Sequence, residues 1–399
     1  MSKIEKLIKE LCPNGVEYKK IKEICISNFW IMPSTPKYQT TGIPYITSKN
    51  IRNGIVQFED TKFITEQDYK LISNNRPIKV NDFLISMIGT IGEVGIVKES
   101  DLPFYGQNMY LLRLDFKKIN LRFFYHYFIS SKVKKVLRGE KNNGNQGYLK
   151  TKNIELLKIP VPPLEVQEEI VRILDKFGEL EAELEAELEA RKIQYEFWRE
   201  KLLRSGYEQV KLKNIAHYSS DRINSDDLNE DNYVGVDNLL QNKMGKTKST
   251  HVPTSGNSTR FEVDDILIGN IRPYLRKIWI ANCDGGTNGD VLDIRVNNTE
   301  KVYPKFLYYV LSSEHFFEYN NSNAKGAKMP RGDKQAIMNY ELTIHSLDEQ
   351  KKIANILDNF DKLVNDISEG LPAEIEARRK QYEYYRNKLL SFEELVVNE

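Results

Sequence analysis

Cysteine is scarce in this chain of 399 residues, and its three copies, Cys12, Cys25 and Cys283, are scattered. An odd number of thiols without paired spacing excludes a disulfide framework and indicates a reducing compartment. No apolar run is long enough to cross a membrane. The N-terminus alternates charged with apolar residues and lacks the core of a signal peptide. These absences together predict a cytoplasmic protein.

Recognisable catalytic motifs are also missing. The five histidines do not lie at metal-ligand spacing from one another or from a cysteine. The chain has no phosphate-binding loop and no Asn/Asp-Pro-Pro-aromatic motif of an adenine methyltransferase. Asp264 and Asp265 lack the Glu-x-Lys partner of a nuclease centre, and the glycine turn at 89–95 does not fit the spacing of a dinucleotide site. We therefore predict no catalytic residue and no metal site.

Length and charge indicate several folding units. A chain of this size exceeds one ordinary core, and a hydrophobic fraction of 40% with 11% aromatics is typical of globular proteins. The net charge of +1 is unevenly distributed, because residues 1–163 carry 26 Lys and Arg against 15 Asp and Glu, whereas residues 206–346 carry 17 against 18. The first segment could therefore meet a polyanion, although solvated surface lysines explain its charge equally well.

The most informative pattern that is present is a duplication. LEVQEEIVRILDKF, at 164–177, returns 183 residues later as LDEQKKIANILDNF, and EARKIQYEFWR, at 189–199, returns as EARRKQYEYYR. Shorter matches precede both copies, while the loops between them differ. A duplicated half predicts approximate two-fold symmetry, which suits the reading of two separated sites on a polymer. Divergent loops on a shared framework are typical of two readers of different ligands.

Both copies of the repeat are predicted to form long helices. Apolar residues recur three, four or seven apart, as in a coiled coil, and the Glu-Leu-Glu-Ala repeats at 179–190 favour helix. Each helix would be about 60 Å long at 1.5 Å per residue, and we expect the two to pair antiparallel. The predicted organisation is a first domain at 1–163, a central helix at 164–205, a second domain at 206–346, a C-terminal helix at 347–391 and a tail at 392–399.

Gly370 and Pro372 interrupt the C-terminal helix. Proline removes one helical hydrogen bond and clashes with the preceding turn, so we expect a kink near 370–372. Two helices packed end to end are the alternative.

Each domain is predicted to be α+β. Short strands at 82–88, 95–98 and 110–114 alternate with Gly, Asn and Pro turns. A helix at 121–137 has its counterpart at 304–317. The expected fold is therefore α+β, with two pseudo-two-fold-related α/β domains separated by two long antiparallel coiled-coil helices.

Polar loops in both domains carry side chains suited to DNA. Asn and Gln suit adenine edges, Arg suits guanine and Lys suits phosphates. A single loop of this kind is more often merely solvated, but matched placement in both halves favours binding. The loops at 269–277 and 325–334 are the expected counterparts, by position, of those in the first domain. The candidate DNA-binding residues are Lys49, Asn50, Arg52, Thr90, Asn145, Gln146, Tyr148, Lys150 and Lys152 in the first domain, and Asn270, Arg272, Tyr274, Lys325, Lys328 and Arg331 in the second.

Across almost its whole length the chain resembles the specificity subunit of a type I restriction–modification system. The resemblance is carried by Pro-Pro-Leu-x-x-Gln-x-x-Ile at 162–170, by the repeated Ile-Leu-Asp-x-Phe and Glu-Ala-Arg blocks, and by the glycine turn. The second copy departs from the pattern, because Thr-Ile-His-Ser at 343–346 replaces the proline run and Arg-Pro-Tyr-Leu at 272–275 replaces the glycine turn.

The resemblance implies that the chain is not catalytic and that each domain is a target-recognition domain for one part of a split double-stranded DNA sequence. The helices would set the unread spacer and dock two methyltransferase subunits, which hold S-adenosylmethionine and methylate adenine. Endonuclease (translocase) subunits, with ATP and Mg, would complete the restriction enzyme, and the chain itself would hold no cofactor. The helix residues expected to bind partners are Ile170, Ile173, Phe177, Tyr195, Trp198, Ile353, Ile356, Phe360, Tyr382 and Tyr385.

Two alternatives stay open from the sequence. The same DNA-reading role could belong to a different assembly, such as a fused methylase–nuclease. A dimeric coiled-coil scaffold with adhesive domains would have no nucleic-acid role, and its self-association would be insensitive to salt. A DNA reader instead loses affinity steeply as salt rises, because its Lys and Arg displace counterions.

The Glu-Leu-Glu-Ala repeats yield the first testable prediction. One unit adds about 6 Å and roughly 40° beyond a full helical turn, whereas DNA advances about 3.4 Å and turns about 35° per base pair. Deleting residues 183–186 should therefore shorten the unread spacer by one or two base pairs and leave both half-sequences unchanged. A methylation map of cellular DNA measures this, and an unaltered spacer would contradict the prediction.

Overall fold

The structure, a computed structural model, describes residues 2–89, 91–139, 149–366 and 368–395. It divides into two compact units. The first contains Met1–Glu183 together with Ile375–Glu399, and the second contains Leu184–Glu374. Both combine helices with sheets, which confirms the predicted α+β class. Within the described ranges, none of the helices has the length and apolar character needed to cross a membrane.

The first unit begins with a short helix and contains eleven strands. Its elements are α1 (Lys3–Leu11), β1 (Tyr18–Lys20), β2 (Cys25–Ile31), β3 (Ile43–Ile46), β4 (Ile51–Arg52), β5 (Ile55–Val56), β6 (Lys62–Ile64), α2 (Glu66–Ser73), β7 (Phe83–Ser86), β8 (Val94–Ile96), β9 (Tyr105–Gly106), β10 (Met109–Leu114), α3 (Leu121–Phe128), α4 (Ser131–Gly139), α5 (Thr151–Glu155), β11 (Lys158–Pro160) and the first part of α6 (Leu164–Arg204). The strand count refers to the residues described.

The second unit continues from α6. Its elements are β12 (Glu208–Lys211), α7 (Leu212–Ile215), β13 (Ala216–Tyr218), β14 (Arg222–Asn224), β15 (Tyr233–Val234), β16 (Asn257–Phe261), β17 (Ile266–Gly269), β18 (Ile278–Ile280), β19 (Gly285–Thr287), β20 (Val291–Val296), α8 (Pro304–Leu311), α9 (Glu314–Ser322), α10 (Lys334–Met338), β21 (Glu341–Ile344), α11 (Leu347–Asn365) and the start of α12 (Leu371–Leu389), most of which belongs to the first unit.

Each unit is built on a four-stranded antiparallel sheet with the same strand order. The order is β2-β10-β7-β8 in the first unit and β13-β20-β17-β18 in the second. A buried aspartate before the third strand pairs with an arginine on the central strand, Asp82 with Arg113 at 2.7 Å and Asp265 with Arg295 at 2.8 Å. Asp265 therefore has a structural role, and the duplication extends to the ion pair that ties two strands of each sheet together.

A second sheet in each unit contains one parallel pair. In the first unit β3 runs parallel to β9, with Tyr45 opposite Tyr105, and in the second β15 runs parallel to β19, with Tyr233 opposite Gly286. The turn that follows β3 is therefore the structural equivalent of the turn that follows β15. The predicted counterpart of the 45–54 loop, at 269–277, was wrong, because 269–277 instead joins β17 to β18 as the glycine turn joins β7 to β8.

The predicted strands are present with shifted ends, as β7, β8 and β10. Each helix predicted at 121–137 and 304–317 is instead a pair of shorter helices, α3 with α4 and α8 with α9. The break falls at serines, because the hydroxyl of Ser313 accepts the backbone N–H of Phe316 at 3.2 Å and the hydroxyl of Ser130 accepts that of Val133 at 3.4 Å. Serine side chains start a new helix by satisfying its first free N–H groups.

A buried glutamine fastens α6 to the rest of the first unit. The Gln167 side chain accepts the backbone N–H of Asn120 at 2.7 Å and donates to the carbonyls of Lys118 at 3.0 Å and Pro162 at 2.7 Å. It is fully buried. These three backbone groups belong to the start of α3 and the entry into α6, so one side chain joins two helix starts.

Gln350 repeats this arrangement in the second unit. It accepts the N–H of Tyr303 at 2.8 Å and donates to the carbonyls of Lys301 and His345, each at 2.9 Å. All four positions lie 183 residues after their equivalents in the first unit. The replacement of the proline run in the second copy therefore leaves the contact intact, because the glutamine uses the backbone carbonyl of His345 and not its side chain.

The C-terminal helical region consists of two helices, α11 and α12, which corresponds to the alternative to a single kinked helix. The chain leaves α11 at Asp366, whose carboxylate accepts the backbone N–H of Ser368 at 2.7 Å and of Glu369 at 3.2 Å. A side chain at Gly370 would meet the carbonyl oxygen of Lys362 at 2.4 Å, so the turn requires glycine. Pro372 then lies in the first turn of α12, where no helical donor is missed.

The two halves of the repeated motif pair crosswise. In the first unit Phe177 of α6 stacks on Tyr385 of α12, with ring centroids 5.4 Å apart. In the second unit Phe360 of α11 stacks on Tyr195 of α6 at 6.0 Å. Each unit thus contains an Ile-Leu-Asp-x-Phe block from one copy and a Glu-Ala-Arg block from the other.

The aspartate of Ile-Leu-Asp holds the neighbouring domain helix. Asp175 binds His126 at 2.6 Å and Arg122 at 2.7 Å. Burial opposes ionisation, but hydrogen bonds from these two side chains lower the pKa of Asp175 to about 2. The second copy of this aspartate binds Lys305 and Tyr309 in the same way.

Replacing Gln350 by leucine should destabilise the second unit by about 3 kcal/mol. Leucine fills a similar volume but leaves one N–H and two carbonyls buried without partners. Urea-induced unfolding measures the change, and Gln335→Leu, at an exposed position of the same unit, is the matched control. Equal stabilities of the two variants would contradict the structural role of Gln350.

Asp293 is a buried carboxyl at the centre of the second unit. It lies opposite Leu267 on β20, where the first unit has Leu111 opposite Leu84. Burial first, and the charge of Asp265 second, raise the pKa of Asp293 to about 8. The folded protein therefore keeps a proton here that the unfolded chain loses near pH 4, so this group lowers stability progressively from about pH 4 to pH 8.

Asp293→Asn should remove this loss. The variant should gain stability over the parent chain as pH rises from 5 to 8, by on the order of 2 kcal/mol at pH 8. Thermal unfolding across this pH range measures the gain. The exposed Asp227→Asn serves as control, and a gain that did not depend on pH would show that Asp293 is ionised in the folded unit.

Candidate DNA interface

The first unit has a polar groove beside the turn that follows β3. Its volume is about 640 Å³. Its walls come from the β3 turn, the β6 edge, the glycine turn and the segment after β9. The lining residues are Tyr38, Tyr45, Thr47, Ser48, Lys49, Asn50, Asp60, Thr61, Lys62, Ile88, Gly89, Gln107 and Asn108. Amides, aromatic rings and lysines thus converge at one place.

Asn50 shapes this turn with its side chain. Its carbonyl oxygen accepts the backbone N–H of Thr47 at 3.0 Å and its amide donates to the carbonyl of Glu59 at 3.2 Å. In the second unit Asn238 accepts the N–H of Gly235 at 2.7 Å in the equivalent turn. Both hydrogen-bonding ends of Asn50 are therefore engaged inside the loop, and the prediction that it reads a base does not fit its position.

Lys49 and Arg52 are exposed. Lys49 stands at the rim of the groove, whereas Arg52 lies on the short hairpin β4–β5. Neither side chain has an ion-pair or hydrogen-bond partner among the residues described, so both charges are available to an external anion.

Three residues of the groove escaped the sequence analysis. Lys62 lies over the ring of Tyr38, with its Nζ 4.0 Å from the ring centroid, and the hydroxyl of Tyr45 donates to Gln107 Oε1 at 3.3 Å. These groups come from segments far apart in the chain, and only the sheet β6-β3-β9 brings them together. No local motif could have indicated them.

The remaining predicted residues of the first unit lie near the glycine turn and after α4. Gly89 takes a φ of +80°, a conformation that favours glycine. Lys150 and Lys152 are exposed at the start of α5. Thr90, Asn145, Gln146 and Tyr148 lie outside the described residues.

In the second unit the two predicted loops form one surface. The backbone N–H of Arg272 donates to the carbonyl of Pro330 at 2.7 Å, and Lys325 and Arg331 exchange backbone hydrogen bonds of 2.8 and 2.9 Å. The N–H of Asn270 donates to the carbonyl of Asp290 at 2.8 Å, which adds the segment before β20. The structure therefore brings these two loops together, whereas it places Asn270 beneath them.

Asn270 is 5% exposed, and its backbone carbonyl accepts the N–H of Gly332 at 3.1 Å. A Cβ at Gly332 would lie 2.8 Å from Asn270 Oδ1 and 2.5 Å from Asn320 Oδ1. Asn270 supports the loop from below, so its predicted contact with a base is not possible in this conformation.

The exposed side chains on this surface differ in their partners. Arg331 pairs with Asp290 at 3.0 Å, and Lys325 pairs with Asp333. The side chains of Arg272, Tyr274 and Lys328 are exposed and have no partner within the described part of the chain. Arg272 takes a left-handed conformation, with φ of +51°, at the tip of the β17–β18 turn. These three side chains are available to a ligand.

The helix residues predicted to bind partners are mostly used within their own units. Those that pack internally are Ile170, Ile173, Phe177, Tyr195, Ile353, Phe360, Tyr382 and Tyr385. Ile356 and Trp198 are exposed at 42% and 36%, as are Phe197 and Tyr384, each at 61%. The exposed aromatic positions thus recur at equivalent places in the two copies of the Glu-Ala-Arg block. No group of three or more metal-ligating side chains occurs across the residues described.

Comparison with known proteins identifies the family. The model of the type I restriction modification DNA specificity domain matches residues 13–190 and, a second time, residues 204–377. The chain belongs to this family. The two matches cover both globular parts and most of the helical sequence, so the duplication seen in the sequence is a duplication of this domain.

Relatives from bacteria support the assignment. A putative type I restriction enzyme specificity subunit of Haemophilus influenzae, S.HindORF215P, is 29% identical across 98% of each chain. The EcoR124I/EcoR124II specificity subunit of Escherichia coli is 28% identical over 60% of this chain and 64% of its own length. The putative type I specificity subunit S.MpnORF201P of Mycoplasma pneumoniae is 30% identical over 61% of this chain and all of its own.

Solved structures show the same fold. A chain from a study of assembly and conformational transition of the type I R-M system covers 95% of this chain with a TM-score of 0.61 and 16% identity. The HsdS subunit of Thermoanaerobacter tengcongensis covers 95% with a TM-score of 0.54 and 14% identity. Family membership confirms the predicted role in sequence-specific DNA recognition within a type I restriction–modification system, without a catalytic function in this chain.

Proposed function

We propose that each α+β domain, at 1–163 and 206–346, reads one half of a split target in double-stranded DNA. The observation that carries this proposal is that each unit has its own core and, at one end of its sheets, its own cluster of exposed polar loops. In family members that recognise DNA, such loops are the parts free to vary, since the buried framework is constrained by packing.

In the first domain the proposed reading surface is the groove beside the β3 turn. Lys49 and Lys62 would contact phosphates, and Gln107 would offer an amide to a base edge. Tyr38 supplies an aromatic face next to them. Lys150 and Lys152 extend this basic surface if the loop before α5 lies along the same DNA, as the notable excess of lysine and arginine in residues 1–163 favours.

In the second domain the proposed reading surface is the joined pair of loops. Arg272 and Arg331 present guanidinium groups that suit guanine, Lys328 suits a phosphate, and Tyr274 adds an exposed ring. Because Arg331 is already paired with Asp290, its contact with DNA would require exchange of that partner. Arg272 requires no exchange and is therefore the first choice for a base contact.

The partners belong to the same proposal. Two methyltransferase subunits, holding S-adenosylmethionine and methylating adenine, would dock on the helices, and endonuclease subunits using ATP and Mg would join them. The exposed Trp198, Phe197, Tyr384 and Ile356 are the helix side chains best placed for this contact. The helices at 164–205 and 347–391 would set the unread gap between the half-sequences.

A methylation map of DNA from cells that express this chain with its methyltransferase subunit tests the proposal. We expect two short sequences around a fixed gap, methylated on adenine. Replacing residues 206–346 with the same region of another family member should change one half-sequence and leave the other and the gap unchanged, because the domains have separate cores.

The same map can test the loop assignment. Arg272→Ala should relax one position within the half-sequence read by the second domain, since a good bidentate contact contributes roughly 1–3 kcal/mol of discrimination. Arg222→Ala, an exposed arginine on β14 of the same unit, is the control. Changes in both half-sequences on domain replacement would overturn independent reading.

A further inference from the structure

An arginine at the end of the Glu-Ala-Arg block is buried in both copies of the repeat. Arg199 follows Tyr195 by four residues, and Arg386 follows Tyr382 by the same interval. The side chain of Arg199 is 3% exposed and that of Arg386 is 11% exposed. Each guanidinium lies over the tyrosine one turn earlier, at 5.8 Å and 5.0 Å from the ring centroid. The same local arrangement therefore occurs once in each unit.

Both guanidinium groups lack a full set of acceptors. The Nε of Arg199 and the Nε of Arg386 are buried and have no hydrogen-bond partner among the described residues. The nearest carboxylates are Glu196, 3.9 Å from Arg199, and Glu383, 4.0 Å from Arg386, and both are about half exposed. Guanidinium stays charged in proteins and carries five donors. A buried, incompletely paired charge is strongly unfavourable, yet the chain retains one at both equivalent positions.

In the second unit the arginine faces a cavity of about 640 Å³. Arg199 Nη2 donates to the hydroxyl of Ser312 at 2.7 Å and to its carbonyl, so a neutral residue holds one end of the fork. Lys243 also lines the cavity, and burial first, then the charge of Arg199, lowers the pKa of this lysine. Its partner Glu314, at 3.3 Å, is shared with Arg276 at 2.7 Å. Positive charge is thus undercompensated at the bottom of the cavity.

The surroundings favour a protein group over DNA as the occupant. Glu196, Asp361 and Asp366 also line the cavity and would repel a run of phosphates. Exposed aromatic side chains flank both arginines, Phe197 two residues before Arg199 and Tyr384 two residues before Arg386, each 61% exposed. A buried arginine beside exposed aromatic residues is typical of the centre of a protein–protein interface.

We propose that Arg199 and Arg386 are two equivalent sockets, each of which binds a carboxylate side chain of one methyltransferase subunit. This inference rests on the proposed function, which supplies the identity of the partner. A carboxylate accepts two parallel bonds from a guanidinium fork, including one from Nε, and neutralises the charge. One socket in each unit accounts for two partner copies on a single chain.

Charge removal tests the sockets. Arg199→Met and Arg386→Met keep most of the side-chain volume, and each should weaken binding of the isolated methyltransferase subunit at one of two sites by roughly 30-fold or more, since breaking a buried charge pair is costly at interfaces. Sedimentation analysis without DNA should show complexes with one partner for each single variant. Arg204→Met, an exposed arginine on the same helix, should bind two partners like the parent chain.

A direct readout on Nε covers the case in which a variant does not fold. In the chain labelled with ¹⁵N-arginine, the Nε–H signals of Arg199 and Arg386, assigned with the corresponding Arg→Lys variants, should shift downfield and exchange more slowly when the methyltransferase subunit is added. Unchanged signals in a complex shown to form would overturn the sockets and leave the proposed function standing. Failure of the parent chain to bind the methyltransferase subunit at all would instead overturn the proposed function.

Discussion

A buried glutamine at the start of each long helix is the contact on which both units depend. Gln167 and Gln350 each satisfy one backbone N–H and two carbonyls where a strand ends, a domain helix begins and a long helix starts. Unsatisfied, these buried groups would each cost on the order of 1–3 kcal/mol. Because one rigid side chain serves three segments, the direction in which the long helix leaves its unit is set by hydrogen bonding as well as by apolar packing.

The crosswise pairing of the repeated blocks explains why the motif is duplicated as two separate parts. Phe177 needs an aromatic partner from α12, and Phe360 needs one from α6. Neither copy could complete its own unit, because each supplies the first block to one unit and the second block to the other. A loss of either copy would therefore leave apolar rings exposed in both units, so selection on packing alone preserves the two copies together.

The features that could be predicted from sequence are those with local physical causes. The central helix was predicted at 164–205 and is observed as Leu164–Arg204, because periodic apolar residues and good helix formers act within a few turns. The break in the C-terminal helix was indicated by Gly370 and Pro372, although its form depended on the side chain of Asp366. The groove of the first unit could not be predicted, since Lys62 and Gln107 meet only through sheet pairing. Amides were misjudged for the same reason: whether Asn50 faces solvent or its own turn is decided by tertiary geometry.

The equivalence of the two domains stops where ligand contact would begin. Asn50 and Asn238 make the same hydrogen bond in equivalent turns, yet the residue before each is Lys49 in one unit and Asp237 in the other, and both are exposed. A lysine favours an approaching phosphate and an aspartate repels it. Identical scaffolds therefore present opposite charges at the same place, which requires the second domain to use other loops, and the unpaired Arg272, Tyr274 and Lys328 are where it offers them. Two domains of one origin can in this way approach the same polymer through different parts of their surfaces.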